Sequence, residues 1–273
     1  MKNDSPISSY NFQIRTRPFS ALAAQFFFPQ RHCIICGEIS ANPGLCAACG
    51  AEQAALPRCD VCAAFAQVPC LCPQCAAIPP SFTRSRAAAP YGNRLRDTLH
   101  AFKYQEKTWL RRPLAALLTN AYELHYGEVS FSAVTPVPLA SSRYKERGYN
   151  QSEMLSSLLA AEFGLDHQPY MLERVIDTPP LASYDGAQRR FLLTRAFKAT
   201  VAAEGHTVLL VDDIYTSGAT LNACAAALLS AGAREVYGLT VASYVVREKI
   251  EEFALSRANN IKCYIRTRKE KSE

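Results

Sequence analysis

Long apolar runs are missing from this sequence. No stretch approaches the roughly 18 residues that a membrane-spanning helix needs, so no membrane span is expected. The nearest thing is Phe19 to Pro29, with Phe26, Phe27 and Phe28, but it stops at a proline and no small-residue cleavage site follows. It reads as an amphipathic lead-in helix over residues 1–30 and not as a signal peptide. No GxxxxGK[ST] occurs, which excludes an ATP-driven motor and leaves any translocation to a separate helicase. Compositional bias is absent too. With 49% hydrophobic and 20% charged residues, the chain is not disordered, collagen-like or coiled-coil. Its 273 residues suit one or two domains with a real core.

Cysteine is what the chain has in excess, and in one place. Nine of 11 Cys fall between Cys33 and Cys75. Eight form four CxxC pairs: Cys33/Cys36, Cys46/Cys49, Cys59/Cys62 and Cys72/Cys75. Nine residues separate each pair from the next, and Cys70 stands outside this register. One CxxC turns two thiolates toward a cation, and a second completes the tetrahedron that Zn²⁺ prefers. Gly37 and Gly50, each just after a pair, suit the tight turn of such a knuckle. The other readings are a redox CxxC or buried thiols. A redox motif usually occurs once, beside a βαβ pattern, and this segment has neither feature. Rich in Ala, Pro and Cys, it has too few large apolar residues to fold on burial alone and needs a metal staple. A double zinc ribbon over residues 31–78 follows, with one or two structural Zn²⁺ ions; sequential and interleaved pairing both fit the spacing. Metal-binding cysteines in place of disulfides point to a cytoplasmic location, with attachment to the inner membrane left open.

The net charge of +6 is uneven. Between Arg84 and Arg112 there are eight Lys/Arg against two acids, and from Leu255 to Glu273 there are six against two. Arg84, Arg86, Arg94, Arg96, Lys103 and Lys107 are interleaved with Tyr91, Phe102, Tyr104 and Trp109, the mixture of charge and stacking surface that single-stranded DNA uses. An amphipathic helix with some of those aromatics in the core explains the same residues.

Beyond Pro79-Pro80 the pattern becomes apolar strands alternating with helices. Strands are expected at Ser132–Val137, Thr207–Val211 and Glu235–Val241, and helices at Asn150–Phe163 and Thr220–Leu229. Strand–helix–strand succession implies a parallel α/β sheet, here over residues 82–250, with a basic tail at 251–273. At the carboxyl end of the second strand stand Asp212 and Asp213, then Thr216, Ser217, Gly218, Ala219 and Thr220 at the start of a helix. Helix N-terminal amides and hydroxyls favour a phosphate there, while the acids can accept from sugar hydroxyls or help hold Mg²⁺. A phosphate and a diol together point to a phosphorylated ribose. One helix-capping Asp is common, but it accounts for only one of the two acids.

This stretch resembles the motif by which phosphoribosyltransferases bind 5-phosphoribosyl-1-pyrophosphate (PRPP). The resemblance implies that Asp212 and Asp213 contact ribose hydroxyls and that Thr216 to Thr220 wrap the 5-phosphate. Tyr215 departs from the usual aliphatic residue and Ser217 from the usual Thr. Upstream, Pro136 and Val137 end the first strand in Thr135-Pro136-Val137-Pro138-Leu139, followed by Arg143, Lys145 and Arg147-Gly148-Tyr149-Asn150-Gln151-Ser152. The prolines set a rigid turn where pyrophosphate would lie, and the basic residues suit a lid over it.

Cysteine knuckles, that segment and the VDDIYTSGAT loop, in this order, resemble the ComF (ComFC/GntX) family of competence proteins from Cys33 to about Ser243. The resemblance implies a type I phosphoribosyltransferase-like domain, Mg²⁺ with PRPP, and a part in handling incoming single-stranded DNA beside a competence helicase or DNA-processing protein. Arg189, Arg190, Ala196 and Phe197 match the family, whereas Leu181 and Leu192 stand where it usually has Gln and Asn. The alternative is phosphoribosyl transfer to an unidentified acceptor. A recognisable hood or general base for a nucleobase is lacking, which argues against nucleobase salvage, and no catalytic residue is assigned.

Overall fold

The computed structural model describes residues 32–42, 44–65, 71–177, 192–193, 195–200 and 203–244. The lead-in at 1–30, Cys70, Leu181, Arg189, Arg190, Cys263 and the basic tail lie outside these. Two short helices belong to the cysteine segment, α1 (Ala47–Ala55) and α2 (Pro73–Ala77). Then follow strand β1 (Arg84–Pro90), helix α3 (Asn93–Tyr104), helix α4 (Arg111–Tyr126) and strand β2 (Ala133–Pro136). Helices α5 (Ser141–Arg147) and α6 (Gln151–Phe163) lead to two short strands, β3 (Leu172–Arg174) and β4 (Phe197–Ala199). Strand β5 (Thr207–Tyr215), helix α7 (Ala219–Ser230) and strand β6 (Glu235–Ser243) complete the described order.

Strands β1, β6, β5 and β2 pair side by side in that order, all parallel, while β3 and β4 form a separate antiparallel pair. The central strand β5 is apolar on both faces, as a covered parallel strand must be. Leu209 and Val211 point into one core with Leu99 and Phe102 of α3, Leu114 and Leu118 of α4, and Leu155 and Leu159 of α6. Val208 and Leu210 point into the other with Leu221, Cys224 and Leu228 of α7. The strands and helices expected between residues 132 and 241 are all present. β5 and β6 run further than their apolar runs suggested, because pairing such as Asp212 with Thr240 carries the ladder past the last aliphatic residue.

The cysteine segment does not stand apart. Its first half, with Cys33, Ile34, Leu45 and Cys49, belongs to the α3–α4 core, and its second, with Cys59, Cys62, Cys72 and Cys75, to the α7 core. It therefore straddles the edge strand β1, one half on each face. Ser85 N donates to the Val61 carbonyl (2.8 Å), and Arg86 donates to the carbonyls of Cys59 (3.3 Å) and Asp60 (3.0 Å). An exposed parallel edge is thus covered. Among the described residues no helix is long and apolar enough to cross a membrane.

Packing between α7 and the sheet requires a glycine at Gly238. A Cβ there would overlap Leu221 Cδ2 and lie 2.7 Å from Ser85 Oγ. Gly238→Ala should lower the unfolding free energy by about 1–3 kcal/mol, the usual cost of overpacking a close-packed site. Urea denaturation is the check, and an unchanged midpoint would show that α7 can shift freely.

Candidate functional site

At the carboxyl edge of the sheet, β5 brings Asp212 to the wall of an open cleft, with Asp213 buried beside it. Asp212, Ile214, Tyr215, Thr216, Gly218, Thr220, Leu221 and Thr240 line it. Gly218 has a left-handed φ of +73° and caps α7, turning the loop so that the helix N-terminus faces the cleft. The backbone amide of Ala219 donates to Ser217 Oγ at 3.4 Å. Thr216 is exposed, and Ser217, Ala219 and Thr220 are half-buried. This brings the loop residues singled out in the sequence to one place, with hydroxyls and helix amides toward one volume.

The two acids are held differently. Asp212 Oδ1 accepts from Ser152 Oγ (2.8 Å) and from the backbone amide of Asp213 (2.8 Å). Burial, with the Asp213 charge beside it, pushes the Asp212 carboxyl up to about 7. Asp213 is buried and paired with Lys103, whose Nζ lies 2.9 Å from Oδ1 and 2.8 Å from Oδ2. Burial alone would depress the Lys103 amine, but the Asp213 carboxylate more than offsets it, and Lys103 titrates above its ordinary range. Lys103 stands among the strand-binding basics in the sequence, but the fold turns it inward from α3 to the acids. The basic run carried no sign of this. The clue was period: Leu95, Leu99 and Phe102 mark the inner face of α3, and Lys103 flanks it.

The RGYNQS segment explains how α6 meets β5. Asn150 caps the helix, its side chain accepting from the Ser152 amide (3.0 Å) and donating to the Val137 carbonyl (3.1 Å). That carbonyl belongs to the turn where Pro136 ends β2, and Val137 N reaches the Val211 carbonyl at 2.9 Å. One side chain thus ties two strand ends and places Ser152 on Asp212. The Tyr149 hydroxyl donates to the Phe102 carbonyl and anchors α3 to the same corner.

The basic segment, expected as a lid, is the short helix α5, stopped by Gly148 in the left-handed region (φ 77°). Its two arginines diverge. Arg143 forms an exposed pair with Glu146 (3.0 Å). Arg147 donates to Gln151 Oε1 and to the Tyr104 hydroxyl, each at 3.0 Å, with its guanidinium 4.6 Å from the Tyr104 ring centroid. Arg147 Nε and Gln151 Nε2 are buried without a protein partner. Buried donors left unpaired are costly, and these two lie on the segment that leads into α6.

Of the remaining basic candidates, Arg84 and Arg86 lie on β1 and are spent internally. Arg84 donates to the His125 carbonyl (2.9 Å), and Arg86 to the cysteine segment as described. Arg94, Arg96 and Lys107 are exposed, on α3 and the turn after it, with Tyr104 and Trp109 exposed beside them; Phe102 is core.

The eight paired cysteines form two clusters, Cys33/Cys36/Cys46/Cys49 and Cys59/Cys62/Cys72/Cys75, each with all sulfurs within 4.8 Å of one another. Pairing is sequential, which spacing had left open. Sulfur separations of 3.8 Å for Cys36–Cys46 and 3.7 Å for Cys62–Cys72 match the edge of a tetrahedron with Zn–S bonds of about 2.3 Å. Backbone amides of Cys62 and Cys72 point at Cys59 Sγ (3.5 and 3.3 Å). Hydrogen bonds from Cys62, Cys72 and Cys75 hold Cys59 well below the ordinary thiol range, the form a cation needs.

Residues 151–266 match the family model described as phosphoribosyl transferase domain. Over 164 residues the chain is 32% identical to Competence protein F of Haemophilus influenzae, an alignment covering 58% of this chain and 71% of that one. It is 28% identical over 151 residues to Competence protein ComFC of Bacillus subtilis, covering 55% of this chain and 59% of the relative. With DNA utilization protein YhgH of Escherichia coli K12 it shares 26% identity over 162 residues, covering 58% and 71%.

The raised Asp212 carboxyl predicts a pH signature. An acid whose folded-state value exceeds its unfolded one stabilises the fold fully below the unfolded value, here 3.8, and that contribution is lost as pH rises through about 7. Asp212→Asn should therefore gain Tm relative to the wild type at pH 8 and much less at pH 5. Equal differences at both pH values would show that Asp212 ionises normally.

Proposed function

From the premise that this chain belongs to the ComF family of competence proteins, we propose that it acts in the cytoplasmic handling of transforming single-stranded DNA and binds PRPP or a related ribose phosphate. The observation that carries the ligand is the convergence of Asp212 and Asp213 with the Thr216–Thr220 loop, Lys103 and Arg147 at one sheet edge. On this reading, the loop amides and hydroxyls take the 5-phosphate, the acids take the ribose hydroxyls, and Lys103 and Arg147 face the pyrophosphate. Mg²⁺ would arrive with the PRPP, and the acid pair has the hard oxygen donors it requires. Zn²⁺ would fill both cysteine clusters as a structural ion, since four thiolates leave no open position.

The strand has a face of its own. Tyr104 (49% exposed) and Trp109 (66% exposed) are open to solvent, as are Lys107 and Arg96, the latter paired with Asp97 at 3.1 Å, so stacking and phosphate contacts are both available. Arg147, stacked on Tyr104, joins this face to the ribose-phosphate cleft. A second reading, phosphoribosyl transfer to an unidentified acceptor, is favoured by Asp212. A carboxyl near 7 is matched to taking a proton at neutral pH. Pyrophosphate released from PRPP in the presence of an acceptor would decide for it.

Two tests follow. Mg²⁺–PRPP should raise the Tm of the wild type, by about 2.7 kcal/mol of stabilisation at a hundredfold excess over Kd, and Asp212→Ala with Asp213→Ala should abolish the shift. Normal transformation by a strain carrying that double variant at normal protein level would separate the cleft from DNA uptake. Binding of a labelled oligonucleotide should weaken about tenfold or more in Trp109→Ala, at the scale of one stacked base. In Arg96→Glu with Lys107→Glu the salt dependence should also flatten; unaltered affinity in both would remove the strand from this face.

A further inference from the structure

We infer that the second cysteine cluster sets the shape of the phosphate loop, with Gln74 and Tyr215 as the positioning residues that join the two. The inference rests on the ribose-phosphate reading of that loop given above.

The two clusters are not equivalent in what they touch. The first packs on the far side of the sheet from α7: the Arg94 side chain lies over Gly37, and the Pro113 carbonyl is pressed against Gly44. The second reaches the cleft. Gln74 sits between Cys72 and Cys75, so its direction is set by the same turn that aims those thiols. Its Nε2 donates to the carbonyl of Ser217 at 2.8 Å. That carbonyl lies in the middle of the loop, one residue before the glycine that starts α7. Just after α2, the Ser81 amide donates to Asn222 Oδ1 at 2.5 Å, holding the first turn of α7 from the same side.

Tyr215 is the second link, from below. Its ring is buried in the core that contains Cys59, Cys62, Cys72 and Cys75. A Cβ on Gly218 would overlap the Tyr215 hydroxyl, so the ring forms the floor on which the glycine turn rests. An aliphatic side chain, usual at this position in the PRPP motif, is too short to reach from the cysteine core to Gly218. The tyrosine departure and the cysteine cluster thus belong together: a ring packed among the four thiols, with its hydroxyl against Gly218, carries the position of the cluster to the loop. Four thiols held in one tetrahedron keep Gln74 and the Tyr215 ring in place; thiols that scatter release both.

The probe is ribose 5-phosphate, which tests the loop without pyrophosphate, titrated by calorimetry into wild type, Gln74→Ala and Tyr215→Phe. Tyr215→Phe keeps the ring beneath Gly218 and removes only the hydroxyl. Each variant should bind about fivefold more weakly, Gln74→Ala through the loss of one hydrogen bond and Tyr215→Phe through the loss of the hydroxyl against Gly218, with zinc content and Tm as in the wild type. In the ligand-free variants the amides of residues 216–220 should exchange hydrogen several times faster. Wild-type affinity and wild-type exchange in both variants would overturn the inference while leaving the ligand reading intact. Failure of the wild type itself to bind would reject the ligand reading and this inference with it.

Discussion

Two adjacent carboxylates at the end of a strand buried on both faces are the constraint around which this structure is arranged. Neither acid can be left both charged and unpartnered in such a place, because desolvation disfavours the ionised form and each charge disfavours the other. The fold answers with three donors from three elements. Lys103 comes from α3, Ser152 from the start of α6, and the Asp213 amide from β5 itself. Those donors in turn dictate where the helices end. α6 must start at Asn150 so that its first turn presents Ser152, and α3 must run to Lys103 before it stops. Asp212 still titrates near neutrality, so the pair is only partly satisfied by the protein.

The cysteine segment answers a second constraint. A four-stranded parallel sheet has two edges, and β1, the outer strand next to β6, lies at one of them. Arg58, Arg84 and Arg86 and His125 crowd the junction there. Burial, with Arg58, Arg86 and Arg84 close by, holds the His125 ring down at about 3, and so neutral. The arginines instead donate to carbonyls of the segment and of α4, which accept without adding charge. Cations held against carbonyls are a structural solution, and it occupies Arg84 and Arg86 within the fold.

Legibility from sequence followed the strength of local signals. The buried strand at 207–211, the α6 helix and the four CxxC pairs have period or spacing that admits few readings, and they appear where expected. The acid pair and the loop that follows could be read as a unit because they are contiguous. What was not legible needed long-range geometry. Arg84, Arg86 and Lys103 look alike in a basic run, yet one strand and one helix face send all three inward. α5 was illegible for another reason: seven residues with three basic ones have no apolar period, and the helix is held by its Gly148 stop and its neighbours. Sequential pairing of the cysteines was equally beyond spacing, since it depends on each half of the segment having its own face of the sheet to pack on.

Helix α3 has two different sides. Its inner side presents Phe102 to the core and Lys103 to Asp213, while its outer side presents Arg96 and Tyr104 to solvent. A rigid helix cannot move one side and keep the other still. On the reading proposed above, a ribose phosphate that takes over the hydrogen bonds of Asp213 frees Lys103 from that carboxylate. Any adjustment of Lys103 then acts on the end of α3, where Tyr104 meets Arg147 and the Tyr149 hydroxyl holds the Phe102 carbonyl. On that reading the cleft and the strand face share one contact chain, Asp213–Lys103–Tyr104–Arg147, so that a change at either would be felt at the other.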